Sequence, residues 1–375
     1  GRRSVQAAMP HTPLPRRSAA PAPMGLAPLP RLALPSQHPA NADQVIFFAA
    51  HGNLSATDTR LLAHYSLQLA QAKRVAMWVL LYRPEADGMD ILPAESAAVG
   101  VPVAAWGDGT LRRGVPLVAA AIRKDAGLRA TPNANHQRYF WFHCSLRLWE
   151  LSFGHAAARP RFWWRAEMDV LFAGAWPWLL ERTLSSSADL LLPSLVRHDT
   201  PKGRTYPHWA RNSAVLGASP TKDWVFGLVS IGRYSARFLD ALSAKWDEGW
   251  MGYEEISLPM LCQQLGRERC EQGAFHRLKT NSWRKDMMDA FFRFRPGWDC
   301  EEFLAAAARH THQLWHPVKD RACWAAYLDA CDATGCHTPA PPLQPYCRDE
   351  GGSVRKCTPG RDRQPGHFCV TNCSI

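Results

Sequence analysis

Two apolar runs joined by a helical segment constrain the fold more than any other feature of this sequence. Residues 45–50 read VIFFAA and residues 75–82 read VAMWVLLY, without polar alternation. Strands that are buried on both faces are apolar throughout, as in parallel sheets covered by helices. The segment between the runs predicts a helix from Asp58 to Arg74, with Asp58 as its cap. This order predicts the start of a doubly covered parallel sheet of the nucleotide-binding α/β kind.

Further elements continue the pattern and divide the chain into three parts. Helices are predicted at 139–153, 235–246 and 252–265, and strands at 161–166, 188–192 and 224–231, while 83–135 predict loops with one short strand. The 375 residues fit one α/β domain of roughly 250 residues with appendages. We predict a disordered stem or linker at 1–43, the α/β domain at 44–320, and a Cys-rich, disulfide-tied extension at 321–375.

Charge and hydropathy bear on the partners. The formal net charge is +11, but the Pro- and Ala-rich segment before Asp43 contains five arginines and no acid. No clustered basic stripe remains in the rest of the chain, so we expect no nucleic-acid partner. No run approaches the ~18 apolar residues that a membrane helix needs. Because the chain begins at Gly1, a signal or membrane anchor is expected only upstream of it.

Eleven cysteines, concentrated after Cys262, indicate an oxidising compartment and several disulfides. We expect the lumen of the Golgi or endoplasmic reticulum, with secretion as the alternative. Cys144, alone in an aromatic helical run, is predicted to be the odd, buried thiol. Zinc is an alternative to disulfides, although no CxxC pair is present. Its ligands would come from Cys331, Cys336, His337, His367, Cys369 and Cys373. Of two glycosylation acceptors, only Asn372 is predicted to be used, because a glycan at Asn53 would obstruct the predicted pocket.

The acidic pair Glu167 and Asp169 ends the aromatic strand predicted at 161–166. In extended backbone, residues two apart point to the same side, so both carboxylates face one ligand while Met168 faces the core. Two like charges this close are unfavourable unless a cation neutralises them. Hard oxygen ligands suit Mn²⁺ or Mg²⁺ bridging to phosphate, which predicts a metal site. The alternative is a surface Glu and Asp at a turn.

Glu254 and Glu255 begin a predicted helix after Gly252 and Tyr253. One interpretation is the ordinary preference of helix N-termini for acids. The functional interpretation is that one of the two accepts the proton of an attacking hydroxyl, the task of a general base.

Basic and polar residues complete the predicted site. His316 lies in a constrained segment before a proline and is either a third metal ligand or a core histidine. Lys319 would offset the charge of a departing diphosphate. His51, Gly52 and Asn53 follow the first strand, where a doubly wound sheet would hold a nucleotide.

Taken in order, these motifs resemble the GT-A fold of nucleotide-sugar glycosyltransferases over residues 45–320. The Glu-Met-Asp core in an aromatic strand is similar to that of a eukaryotic group of GT-A-like proteins. The resemblance implies a mixed, mainly parallel sheet flanked by helices. It also implies that Asp169 matches the metal-binding acid of the DxD motif, Glu167 its first acid, and His316 the late metal-binding histidine. Glu255 matches the last acid of the x-Glu-Asp motif, with Glu254 beside it.

The resemblance implies a metal-dependent hexosyl- or pentosyltransferase that uses a nucleotide-diphosphate sugar as donor and a hydroxyl on a glycan or glycoprotein as acceptor. The first acid is Glu and not Asp, and the second motif ends in Glu, which leaves open which acid is the base. The alternative is a non-catalytic relative that binds glycan or protein. A metal-dependent phosphoesterase would need more ligands than the sequence provides.

Overall fold

The structure is a computed structural model. It describes residues 27–334, apart from 40, 73, 125–142, 157, 218, 276–290, 294–295 and 309–312, together with 346–348 and 354–356. Predictions that concern residues 1–26 and most of the Cys-rich extension therefore lie outside the described residues.

An eight-stranded mixed sheet forms the centre of the molecule, in the order β11-β7-β10-β5-β1-β2-β4-β3. Its strands are β1 Gln44–His51, β2 Val75–Tyr82, β3 Asp90–Ile91, β4 Val103–Trp106, β5 Phe162–Glu167, β7 Leu190–Leu192, β10 Ile231–Ser235 and β11 Gln272–Ala274. Strands β5, β1, β2 and β4 run parallel, whereas β10 and β3 are antiparallel to their neighbours. Three two-stranded sheets are formed by β6 Leu171–Ala173 with β12 Gln313–Trp315, β8 Leu195–Arg197 with β9 Val225–Gly227, and β13 Tyr346–Arg348 with β14 Val354–Lys356.

Helices cover both faces of the central sheet. The described helices are α1 Ala56–Leu69, α2 Pro93–Val99, α3 Asp108–Gly114, α4 Pro116–Lys124, α5 Cys144–Phe153, α6 Trp176–Leu184, α7 Pro201–Arg204, α8 Ser213–Leu216, α9 Ala236–Asp247, α10 Glu254–Leu265, α11 Cys300–Ala307 and α12 Arg321–Thr334. Two short 3-10 helices lie at Trp209–Asn212 and Thr221–Asp223. In β1, Ile46 and Phe48 pack against α1 and α6, whereas Val45 and Phe47 pack against α4 and α5. The apolar strand therefore has a core on each side, as its sequence predicts.

The predicted class, an α/β domain with a mixed, mainly parallel sheet flanked by helices, is confirmed. This is the layout expected of a GT-A-like fold. The structure also defines strand β2 with the predicted bounds and begins α10 at Glu254. Among the helices that the structure describes, none is long and apolar enough to cross a bilayer.

Beyond shifts of one or two residues, the elements differ from prediction in three places. Residues 83–135 are predicted as loops with one short strand, but their described part contains the strands β3 and β4 and the helices α2, α3 and α4. These elements are two to nine residues long and are interrupted by Gly and Pro, so no periodic pattern is long enough to show in the sequence. Helix α1 is capped by Ser55 and ends at Leu69, while Asp58 is the partner that bonds back to the backbone of Ser55. A capping box uses the side chains of both positions, so either one alone resembles a cap in the sequence. The single strand predicted at 224–231 is two strands in different sheets, β9 and the start of β10, separated by residues 228–230.

Residues 321–334, the start of the predicted extension, form helix α12 against α1. Trp324 and Leu328 are fully buried in the core that α1 shares. On the surface, Arg60 of α1 pairs with Asp329 and Asp332 of α12. The packing of α12 thus continues the helical layer on that face of the sheet.

The cysteines follow the predicted chemistry in part. Cys262 and Cys270 form a disulfide, and Cys331 is also disulfide-bonded, which removes Cys331 from the alternative set of zinc ligands. Cys144 is buried and unbonded, as predicted. Cys300 and Cys323 are unbonded as well.

Candidate active site

Strand β5 delivers the acidic pair to the carboxyl edge of the sheet. Glu167 is the last residue of β5, and its backbone N–H donates to the carbonyl of Ser230 at 2.7 Å. Met168 turns to the opposite side and is buried in the core, as the alternation predicts. The carboxylates of Glu167 and Asp169 are left in one open pocket, at the edge where open α/β sheets place ligands.

A two-stranded sheet brings His316 to Asp169 from almost 150 positions further along the chain. Strand β12 pairs antiparallel with β6, which directly follows the acidic pair, and Trp315 lies opposite Leu171. The N–H of Val318 donates to the carbonyl of Asp169 at 3.0 Å, which anchors the segment after His316. His316 Nε2 lies 3.8 Å from Asp169 Oδ1. The predicted approach of the two residues is therefore present in the structure.

The imidazole of His316 is held in the tautomer that suits a metal ligand. Its Nδ1 lies 2.7 Å from the carbonyl oxygen of Arg293, which only accepts, so Nδ1 carries the proton. Nε2 then presents its lone pair to the pocket. The ring also stacks on Phe292, with centroids 4.9 Å apart. Burial lowers the pKa of His316, which favours the neutral form that coordinates metals.

The residues present fit a hard divalent cation. One ligand atom each from Glu167, Asp169 and His316 lie within 4.8 Å of one another. Two carboxylate oxygens and one imidazole nitrogen form a donor set that suits Mn²⁺ or Mg²⁺, and its three groups leave coordination positions open. The hydrogen bond from Nδ1 of His316 to a carbonyl is the outer-shell contact usual for a ligating histidine. Metal ligation by these residues stays a prediction.

The two glutamates that begin α10 have different surroundings. Glu254 is buried and accepts from the backbone N–H of His143 at 2.7 Å, while His143 Nδ1 lies 2.7 Å from its other oxygen. The Nε2 atom of His143 in turn lies 2.6 Å from the hydroxyl of Tyr234. Burial lowers the pKa of His143, while the charge of Glu254 opposes that shift. Glu254 lines the pocket too, but each of its carboxylate oxygens lies 2.7 Å from a nitrogen of His143.

Glu255 instead faces the pocket with a protein hydrogen bond from Tyr206, whose hydroxyl donates to its Oε2. Burial raises the pKa of Glu255 to about 7, and the charges of Glu167 and Glu254 add to that effect. A carboxylate with this pKa takes up a proton near neutral pH more readily than an exposed glutamate does.

Arg165 is the counter-charge of the acidic group. Its Nη1 lies 3.7 Å from Glu167 Oε1 and 4.0 Å from Glu254 Oε2, and its side chain is fully buried. Burial raises the pKa of Glu167 to about 7, while Arg165 opposes the rise and Asp169 adds to it. A buried cation beside two acids reduces the repulsion that several carboxylates in one pocket create.

Of the remaining predicted site residues, one lines the pocket of the acids and three lie outside it at the same edge of the sheet. Lys319 is exposed and lines the same pocket as Glu167 and Asp169. His51, Gly52 and Asn53 are exposed at the carboxyl end of β1, whose Ala49 pairs with Glu167. They share that edge of the sheet but do not line the pocket. Their role in holding a nucleotide stays a prediction.

Several residues around the acids escaped sequence reasoning. The only sequence signal of Arg165 is its position two residues before Glu167 on one strand face. Three further residues reach the site from segments without a catalytic motif, namely Tyr206, His143 and Ser230. Only the folding of the chain brings them there.

No protein family matches this chain, and no curated protein matches it. Among solved structures, the galactosyltransferase LgtC in complex with donor and acceptor sugar analogs has 12% identity and a TM-score of 0.35, covering 80% of this chain and 98% of that one. Glucosyl-3-phosphoglycerate synthase from Mycobacterium tuberculosis, with Mn²⁺, UDP and glucosyl-3-phosphoglycerate, has 15% identity and a TM-score of 0.30, covering 88% and 95%.

A mycobacterial protein has 14% identity and a TM-score of 0.31, and the match covers 63% of this chain and 66% of that protein. These matched structures include a glycosyltransferase, the class that the sequence resembles. TM-scores this low carry no inference about function, which depends instead on the residues of this chain.

Proposed function

We propose that the chain is a metal-dependent glycosyltransferase that moves a sugar from a nucleotide-diphosphate donor to a hydroxyl of a glycan or glycoprotein. One observation carries the proposal. Glu167, Asp169 and His316 converge in an open pocket at the carboxyl edge of an α/β sheet, and Glu255 faces the same pocket. The pocket therefore combines a donor set for a metal with a separate carboxylate.

Glu167, Asp169 and His316 would hold Mn²⁺ or Mg²⁺. When bound, the ion would neutralise charge on the diphosphate of the donor. Lys319, exposed at the same pocket, adds a positive charge for the departing diphosphate. Residues 51–53, two to four positions beyond Ala49 on the neighbouring strand, would contact the nucleotide.

Glu255 is the proposed general base. It would accept the proton of the acceptor hydroxyl as that oxygen attacks the anomeric carbon. Glu254 is the less suitable of the pair, since His143 occupies both of its oxygens. The type of sugar, hexose or pentose, and the location in the Golgi or endoplasmic reticulum remain part of the proposal.

The test compares turnover of a panel of UDP- and GDP-sugars, with and without Mn²⁺, between the parent protein and Asp169→Asn. We expect donor turnover that requires Mn²⁺ and falls at least about 100-fold in the variant, because a ligand of the metal is lost. Asp240→Asn, which alters an exposed acid on α9, is the matched control. An Asp169→Asn protein indistinguishable from the parent would favour the non-catalytic binding relative.

A further inference from the structure

Tyr206 is held rigidly against the carboxylate that the proposed function uses as base. Its ring stacks on Phe226 of β9, with centroids 3.9 Å apart and planes at 12°. Its backbone N–H donates to the carbonyl of Gly203 at 3.2 Å, which fixes the chain from the other end. The hydroxyl then donates to Oε2 of Glu255. A stacked ring gives this donor a defined position, whereas the glutamate side chain has several torsions of its own.

We propose that Tyr206 is the positioning residue for Glu255. This assignment rests on the proposed function. The hydroxyl of Tyr206 donates to Oε2 of Glu255, and Oε1 of Glu255 is left to accept the proton of the acceptor hydroxyl. Glu255 needs such a partner because of the charges around it. Glu255 shares its pocket with the acids Glu167 and Glu254, whose charges disfavour its ionised form, and the hydrogen bond from Tyr206 opposes that effect.

The test is Tyr206→Phe, which keeps the stacked ring and removes only the hydroxyl. With Mn²⁺ and a UDP- or GDP-sugar that the parent turns over, we expect kcat to fall roughly tenfold and the KM of the donor to stay within about twofold. Tyr327→Phe is the matched control, because it removes a half-buried hydroxyl that bonds to the backbone carbonyl of Phe172. Its kinetics should equal those of the parent.

A double variant separates positioning from mere stability. In Glu255→Gln, the additional Tyr206→Phe change should have no further effect on kcat, since both act through one carboxylate. Full activity of Tyr206→Phe beside an inactive Glu255→Gln would overturn the positioning role alone. Full activity of Glu255→Gln would overturn Glu255 as base. Absence of turnover by the parent across the donor panel would overturn the proposed function and this assignment with it.

A second, independent observation concerns two unbonded cysteines on neighbouring helices. Cys300 is the first residue of α11, and Cys323 is buried in α12. The sulfur of Cys323 lies 3.9 Å from the carbonyl oxygen of Cys300. The thiol of Cys323 therefore lies beside the backbone of Cys300, and burial raises the pKa of Cys323, with Cys300 adding to the rise.

We infer that Cys300 and Cys323 are oxidised to a disulfide. The two thiols lose two protons and two electrons to a small disulfide such as oxidised glutathione, which is reduced to two thiols as the new sulfur–sulfur bond forms. The bridge closes a loop over residues 300–323 that contains His316 and Lys319. A closed loop limits the conformations open to that segment when it detaches from the core.

Peptide mapping tests the bridge without reference to activity. After incubation with oxidised glutathione, trypsin should release the peptides of Cys300 and Cys323 as one linked species, although three cleavage sites lie between them at Arg309, Lys319 and Arg321. Cys144 should remain free and be alkylated after unfolding. Recovery of Cys300 and Cys323 as free thiols, or joined to other cysteines, while Cys262 and Cys270 are linked would overturn the inference.

Discussion

Two carboxylates of the pocket belong to the same residue type but have different partners. Glu254 and Glu255 are neighbours in sequence and both line the pocket, yet Glu254 lies against buried His143 whereas Glu255 accepts from the hydroxyl of Tyr206. The sequence predicts both at the start of a helix, and a helix N-terminus favours acids of either kind. Which of them is available for proton transfer depends on His143 and Tyr206, more than 40 residues away in each case.

Glu255→Gln is expected to stabilise the metal-free protein at alkaline pH. The pKa of Glu255 is raised to about 7 in the folded state, so its contribution to stability is full below the unfolded pKa near 4.5 and is lost as pH rises through 7. The variant should gain up to about 3 kcal/mol at pH 8. The gain should vanish at pH 4.5. Urea unfolding in EDTA at pH 8 and at pH 4.5 measures the difference in unfolding free energy between the variant and the parent.

Glu181→Gln is the control for that measurement, because Glu181 is exposed on α6 and should show no such difference. Equal stability of Glu255→Gln and the parent at both pH values would contradict the buried, ionised carboxylate.

At the scale of elements, β12 matters more than its three residues indicate. It pairs only with β6 in the described part of the chain, and this pairing sets the position of His316. The pattern of apolar residues predicts the long buried strands β1 and β2, because six successive apolar positions in β1 and eight in β2 carry one signal. A three-residue strand carries too few positions for a period to be read, and its partner lies far away in sequence.

Leu314→Ala should therefore destabilise strand β12 and, through it, the position of His316. Leu314 is fully buried in β12, opposite Phe172, so truncation should cost about 2–5 kcal/mol of unfolding free energy. Hydrogen exchange of the amides at 313–315 should accelerate more than that of β1. Leu304→Ala, on α11 and only partly buried, should cost less. A loss for Leu314→Ala below about 1 kcal/mol would contradict the packing described for β12.

For the molecule as a whole, the long buried strands and the acid-x-acid strand end were predictable, whereas the short elements of residues 83–124, strand β11 and the polar network around the pocket were not. Buried strands and the acid-x-acid strand end carry local patterns. Arg165 and His143 are polar residues in apolar surroundings, and only their partners in the folded chain explain them. Helix α12 is absent from the prediction for a different reason. The proline- and cysteine-rich sequence that follows it makes residues 321–375 as a whole resemble a disulfide-tied extension.

Truncation tests where the folded unit ends. A chain that stops at residue 320 lacks Trp324 and Leu328, both fully buried, and exposes the apolar side of α1. We expect this chain to be insoluble or to unfold at a much lower temperature than one that stops at residue 334. Thermal unfolding followed by circular dichroism compares the two. Equal melting temperatures would place the end of the cooperative unit at the predicted boundary of 320.

The pairing of β6 with β12 also orders events during synthesis. Asp169 leaves the ribosome long before Gln313, so a growing chain carries the acidic pair without its histidine for nearly 150 residues of elongation. At roughly 5–20 residues per second, that interval lasts on the order of ten seconds or more. The complete three-residue group is thus a property that the chain acquires only after strand β12 and His316 have been synthesised.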